Sequence, residues 1–137
     1  MKRKLICVAL SALGMAFAGT AMAQSKISGD VVKIGVLTDL SGVYSDVAGQ
    51  GSVIMAQMAI DEFKAKYKPT FKIELVSADH QNKPDVGSSK AREWYDTQGV
   101  DMITDLTNSG VGLAVAKVTT EKNKVVLNTG AGSTRLT

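Results

Sequence analysis

From Val31 onward the sequence alternates short β-branched, apolar runs with longer stretches of helical period, separated by loops of Gly, Ser, Thr, Asn and Asp. Few folds accommodate that rhythm. Val31-Val32-Lys33-Ile34-Gly35-Val36-Leu37-Thr38 is nearly continuous in apolar and β-branched residues, which suits a strand buried on both faces. A helix fits Ser52 to Tyr67, because Val53, Ala56, Ile60, Phe63 and Tyr67 recur at helical spacing. Lys64, Lys66 and Lys68 load its last turn, where cations suit the dipole, and Pro69 stops it. Phe71 to Ala78 reads as a second strand. Asp85 is placed to cap a helix to about Gln98, closed by Gly99 as a left-handed residue. Val100 to Thr104 is a third strand, a third helix runs to about Asn123, and Lys124 to Leu127 is a fourth strand. The order β-α-β-α-β-α-β demands crossover connections and a parallel sheet between helical layers, a three-layer α/β/α fold. With no helix after the last strand, one face of that sheet is expected to be under-covered. The chain therefore reads as the N-terminal piece of a longer protein, against the alternative of a complete small α/β domain with a ragged end.

The residues before this rhythm have another character. Met1-Lys2-Arg3-Lys4 is cationic, Leu5 to Phe17 is apolar, and Ala21-Met22-Ala23 is a small-x-small cleavage pattern. This is the layout of a secretory signal peptide, with Gln24 as the new N-terminus. The apolar run is shorter than the ~20 residues of a permanent membrane anchor, which is the alternative reading. Cys7, the single cysteine, lies inside the run and leaves with it. Three of the 16 Lys and Arg lie in this segment and none of the 13 Asp and Glu, so residues 24–137 carry 13 of each and no net charge. The basic balance of the whole chain, +3, belongs to the signal. A nucleic-acid partner loses its support with it.

In an open parallel sheet, ligands bind beyond the carboxyl ends of the strands. Three loops there are rich in hydroxyls and small residues: Asp39 to Ser45, Asp105 to Ser109 and Asn128 to Thr134. None contains Lys or Arg. Helix N-termini following such loops offer free N–H groups and the positive end of a dipole. Together they suit a small carboxylate; singly, each Ser or Thr reads rather as a cap or a tight turn. Tyr44 sits in the first loop, either as a pocket wall or simply exposed. Trp94 and Tyr95 are expected to pack in the second helix.

Catalytic patterns are sparse. His80 is the only histidine and no G-x-S-x-G elbow is present. A loop histidine is expected to be solvated or to cap a turn, although a secreted hydrolase using it is a third, weaker reading. One histidine and no cysteine after residue 23 do not make a zinc site. Gly49-Gln50-Gly51 and Gly130-Ala131-Gly132 begin like dinucleotide fingerprints, but Ile54 and Arg135 stand where the third glycine belongs. No cofactor and no metal are expected.

These residues together resemble a known family. The signal-like segment followed by Val32-Lys33-Ile34-Gly35-Val36-Leu37-Thr38-Asp39-Leu40-Ser41-Gly42 looks like the start of periplasmic solute-binding proteins of ABC importers, of the leucine/isoleucine/valine-binding type. Asp79-His80-Gln81-Asn82-Lys83-Pro84, Trp94-Tyr95, Gly99-Val100-Asp101 and Asn128 to Thr137 are similar to a subgroup of that branch. The resemblance implies two α/β lobes closing on a ligand, with this chain an incomplete N-terminal lobe of the type I fold. It implies that Ser109, beside Asn108, grips a ligand carboxylate through backbone N–H and hydroxyl. It implies that Ala131, Gly132 and Ser133 line the pocket, with Tyr44 as an aromatic wall. The family usually has Ala then Thr in the fourth-strand loop, so Gly132-Ser133 is a departure that keeps a hydroxyl. The implied function is non-catalytic capture of a small carboxylate, such as a branched-chain amino acid or an aromatic acid. The implied partner is a membrane permease, the location periplasmic and the state monomeric. A ligand-sensing lobe of a receptor or regulator is the alternative.

Overall fold

The computed structural model describes residues 29–136. The signal-peptide reading and Cys7 lie outside the described residues. The elements are β1 (Val31–Thr38), α1 (Gly49–Tyr67), β2 (Lys72–Asp79), α2 (Pro84–Thr97), β3 (Met102–Asp105), α3 (Ser109–Glu121), β4 (Val125–Asn128) and a final turn of 3-10 helix, Thr134–Leu136. Each expected element is present. Most boundaries move by one to three residues, as helix ends and strand ends commonly do.

All strand pairs are parallel, in the order β2-β1-β3-β4. The chain leaves β1 on one side and returns to its other side at β3. The first crossover therefore runs over one face, with α1, and the next two over the other, with α2 and α3. Alternation along the strands sorts the side chains accordingly. Leu37 and Ile103 enter the core with Ala91, Trp94 and Tyr95 of α2 and Val111, Val115 and Val118 of α3. Gly35 faces the same side, and a Cβ there would lie 2.5 Å from the Trp94 ring. Tyr95 donates to the Val125 carbonyl (3.1 Å) and shares a hydrogen bond with the Thr119 hydroxyl (3.0 Å), so a buried aromatic reaches the sheet edge without an orphaned hydroxyl.

The opposite face is thinly covered, as the sequence predicts. Only Ile60 and Gly49 of α1 are buried, while Phe63 and Tyr67 of its apolar repeat stay 39% and 60% exposed. An apolar groove of about 470 Å³ runs beside α1, over Val32, Ile34, Met102 and Leu127.

The helix ends follow local chemistry. Tyr67 is the last residue of α1, and Lys68 is its left-handed cap (φ +45°), one residue before Pro69. α2 starts at Pro84, with Lys83 as its cap residue and no side-chain cap; the expected cap, Asp85, lies instead in the first turn. Pro84 at the first helical position removes one of the N–H groups that would otherwise lack an intrahelical partner, and Asp85 complements the dipole from inside. Gly99 takes the expected left-handed conformation (φ +67°) after α2.

Candidate functional site

The order β2-β1-β3-β4 puts the switch in strand direction of travel between β1 and β3. In open parallel sheets such a reversal is where a binding crevice lies, beyond the strand ends. The loops flanking it are 39–48 and 106–108, with 129–133 next along.

The exit from β3 is bent hard. Asp105 and Leu106 are buried and both adopt positive φ, +83° and +61°. Two successive non-glycine residues in that region store strain of the kind that clusters at functional sites. The Asp105 carbonyl accepts from Thr129 (3.1 Å) and Gly130 (3.3 Å), tying the third loop to the fourth. A Cβ on Gly130 would meet the Thr107 Cα at 2.9 Å, so these loops touch backbone to backbone.

The bend delivers the chain to the N-terminus of α3. Asn108 caps it: its Oδ1 accepts from the Val111 N–H at 3.1 Å. Its side-chain oxygen is therefore committed to the helix. Ser109 is the first helical residue, half-buried, and its hydroxyl has no hydrogen-bond partner among the described residues. Ala131 packs against the same turn, its Cβ 3.4 Å from where a Gly112 Cβ would stand. Its N–H is held by the Asn128 Oδ1 at 2.9 Å. Ser133 opens the final turn, its Oγ accepting from Arg135 N–H (3.3 Å) and its carbonyl from Leu136 N–H (3.1 Å). Gly132 is exposed, and a Cβ there would meet nothing within 4 Å, so close packing does not require a glycine.

The structure thus brings Asn108, Ser109 and Ala131 together around one helix start, with Gly132 and Ser133 following. Tyr44 stands on the neighbouring loop, 39% exposed. No hydrogen bond joins it to those residues. It is fastened instead toward β2, by a cluster that the sequence reading passed over. Asp39 is fully buried, and its carboxylate accepts from Gly42 N–H (2.8 Å), Tyr44 N–H (2.9 Å) and the Asn82 amide. Burial pushes the Asp39 carboxyl up, but those three donors and the field of His80 outweigh it and hold it below its ordinary 3.8. Asp79 accepts from Leu40 N–H (3.1 Å), the Ser41 hydroxyl (2.5 Å) and Gln81 N–H (2.7 Å) and is likewise lowered, against burial.

His80 is not solvated: it is fully buried. Its Nδ1 accepts from Asn82 N–H at 3.0 Å, so it does organise a turn, while its Nε2 has no partner among the described residues. Burial lowers its pKa from 6.5, against the raising fields of Asp39, Asp79 and Asp105. The neutral form is therefore the one the fold holds. The one sequence signal for this cluster was turn chemistry, since Asp39 and Asp79 each precede small polar loop residues whose N–H groups they can accept.

Among the described residues no group of three or more His, Cys, Asp or Glu is placed to hold a metal ion. A second concavity, about 570 Å³ and lined by Lys64, Lys68 and Lys72, lies at the start of β2, the opposite pole from these loops.

Residues 31–137 match the family model described as periplasmic binding protein. No curated protein matches the chain. Among solved structures, a periplasmic binding protein from Burkholderia mallei is 48% identical, covering 78% of this chain and 28% of its own, with a TM-score of 0.73. A branched chain amino acid ABC transporter periplasmic ligand-binding protein from Burkholderia xenovorans LB400 is 47% identical, covering 74% and 27%, with a TM-score of 0.69. An ABC transporter substrate-binding protein from Sphaerobacter thermophilus is 27% identical, covering 78% and 28%, with a TM-score of 0.69. The chain spans little more than a quarter of the length of these structures. A parallel sheet between helices, hydroxyl-rich loops gathered at its carboxyl edge and a family match over nearly every described residue agree: the chain belongs to the periplasmic binding protein family.

Proposed function

We propose that this chain is part of the periplasmic substrate-binding component of an ABC importer. It captures a small carboxylate, such as a branched-chain amino acid or an aromatic acid, for delivery to a membrane permease. Residues 1–23 are the cleaved signal, and residues 24–137 are the N-terminal part of the first lobe. The protein works as a monomer and as a binder rather than an enzyme.

One observation carries the reading: at the N-terminus of α3 the Ser109 hydroxyl has no hydrogen-bond partner among the described residues, and small residues such as Gly112 and Ala131 stand at the same helix start. A hydroxyl and free N–H groups at a helix start are what a carboxylate needs. Small neighbours let it approach. The 47% identity to a branched chain amino acid ligand-binding protein supports the ligand class. The thin cover over the α1 face and the chain's share of its relatives' length support the lobe assignment. Isothermal titration of the full protein against branched-chain amino acids and aromatic acids tests it. Saturable binding of one carboxylate is expected, and lost when that acid is replaced by its amide or ester. A folded protein silent to both sets contradicts the proposal.

A further inference from the structure

A relay of hydrogen bonds runs from the end of β2 to the backbone of Tyr44. His80, buried against α2, accepts the Asn82 N–H on Nδ1 (3.0 Å). The Asn82 amide donates to the Asp39 carboxylate. Asp39 in turn accepts from Tyr44 N–H (2.9 Å) and Gly42 N–H (2.8 Å). Asn82 reaches Asp39 from a left-handed backbone conformation (φ +54°), directly after Gln81 in the same conformation (φ +52°). Asparagine tolerates that conformation best among residues with a side chain, and its amide is the donor the carboxylate needs. The loop closes on this brace without slack. A Cβ at Gly42 would lie 2.6 Å from the Asn82 Nδ2 and 2.7 Å from both Asp39 oxygens. On its other side the same turn reaches the start of α3: Pro84 lies 3.2 Å from where a Gly110 Cβ would stand, one residue after Ser109.

We infer that Asn82 is a positioning residue for the ligand pocket: through the buried Asp39 carboxylate it fixes the loop that carries Tyr44 at the carboxyl end of β1, the strand next to β3. The inference rests on the proposed role of Tyr44 and Ser109 in a carboxylate pocket. Asn82 itself touches no ligand in this account. Its amide holds the loop by charge-assisted donation, which a carboxylate in its place would reverse. The ionisable groups around Asp39 are Asp79 and His80 from the end of β2, with Asp105 of β3 beyond His80.

The test is Asn82→Asp in the full protein, which keeps the size and the backbone tolerance and replaces a donor by an acceptor. At neutral pH two facing carboxylates repel, and the Gly42 and Tyr44 amides should exchange with solvent about tenfold faster or more, the worth of one such hydrogen bond. Amides of Val115 and Val118 in the core should keep their protection. Affinity for the carboxylate bound in the titration above should fall. Lowering the pH to about 5 should restore part of both, because one proton shared by the pair rebuilds the bond. Unchanged exchange at Gly42 and Tyr44 overturns the inference. So does a loss of protection spread equally over the core, or a released loop with unaltered affinity. Should Asn82→Asp not fold, Asn82→Ala gives the same comparison without the acid rescue. Should the unaltered protein bind no carboxylate, the proposed function fails, while the exchange measurement still decides whether Asn82 holds the loop.

Discussion

Gly35 leaves the room that Trp94 fills. A methyl there would lie 2.5 Å from the ring, inside any real contact distance. Gly35→Ala should cost about 1–3 kcal/mol by overpacking, read as a lower urea midpoint with an unchanged slope. His80 makes a different prediction. It is the only histidine, it is buried neutral, and its pKa lies below 6.5. The unfolded chain therefore takes a proton more readily than the folded one below that pH. The stability His80 contributes is complete above 6.5 and drains away as the pH falls toward its depressed folded value. Asp39 and Asp79 add a second loss, at lower pH, because their stabilisation is complete above 3.8 and fades as the pH falls through their depressed folded values. Urea midpoints measured from pH 8 to pH 3 should fall in two stages, and His80→Gln should abolish the first. A first stage that survives His80→Gln would refute the assignment. These partners were not legible in sequence, because a histidine in a polar loop gives no sign of burial. Its burial comes from the fold, which closes α2 over it at Gly87.

The two helical layers differ in what they contribute. β1 was readable because its apolar run is nearly continuous, and α2 because Trp94, Tyr95 and Ala91 share a face that meets the sheet. α1 shows the limit of periodicity. Its apolar repeat is as regular as any, yet Phe63 and Tyr67 remain largely exposed, since the pattern states which face is apolar and not what covers it. The contrast can be measured. Trp94→Ala should destabilise by about 3–5 kcal/mol, the range for emptying a buried aromatic. Tyr67→Ala should change stability by less than about 0.5 kcal/mol. Equal losses at the two positions would overturn this division of the core. The loops of the candidate site were legible as places, from the small residues after each strand. Their connections were not: Asn108 spends its side-chain oxygen on Val111, and Tyr44 is braced toward Asn82 rather than toward Ser109.

At the scale of the whole molecule, the sheet has one dry face and one open groove of about 470 Å³. In a two-lobe protein the remainder of the lobe would cover that groove, and the second lobe would close the ligand cleft. Residues 24–137 produced alone should therefore bind a hydrophobic dye strongly and carboxylates very weakly, while the full protein shows the reverse. Tight carboxylate binding by residues 24–137 would refute the two-lobe account. Whether the start of α3 grips a carboxylate is decided by titrating the full protein and its Ser109→Ala variant with the same carboxylate. The variant should bind more weakly by about 1–3 kcal/mol, roughly 5- to 150-fold, with stability unchanged. An affinity identical to that of the unaltered protein would contradict that grip.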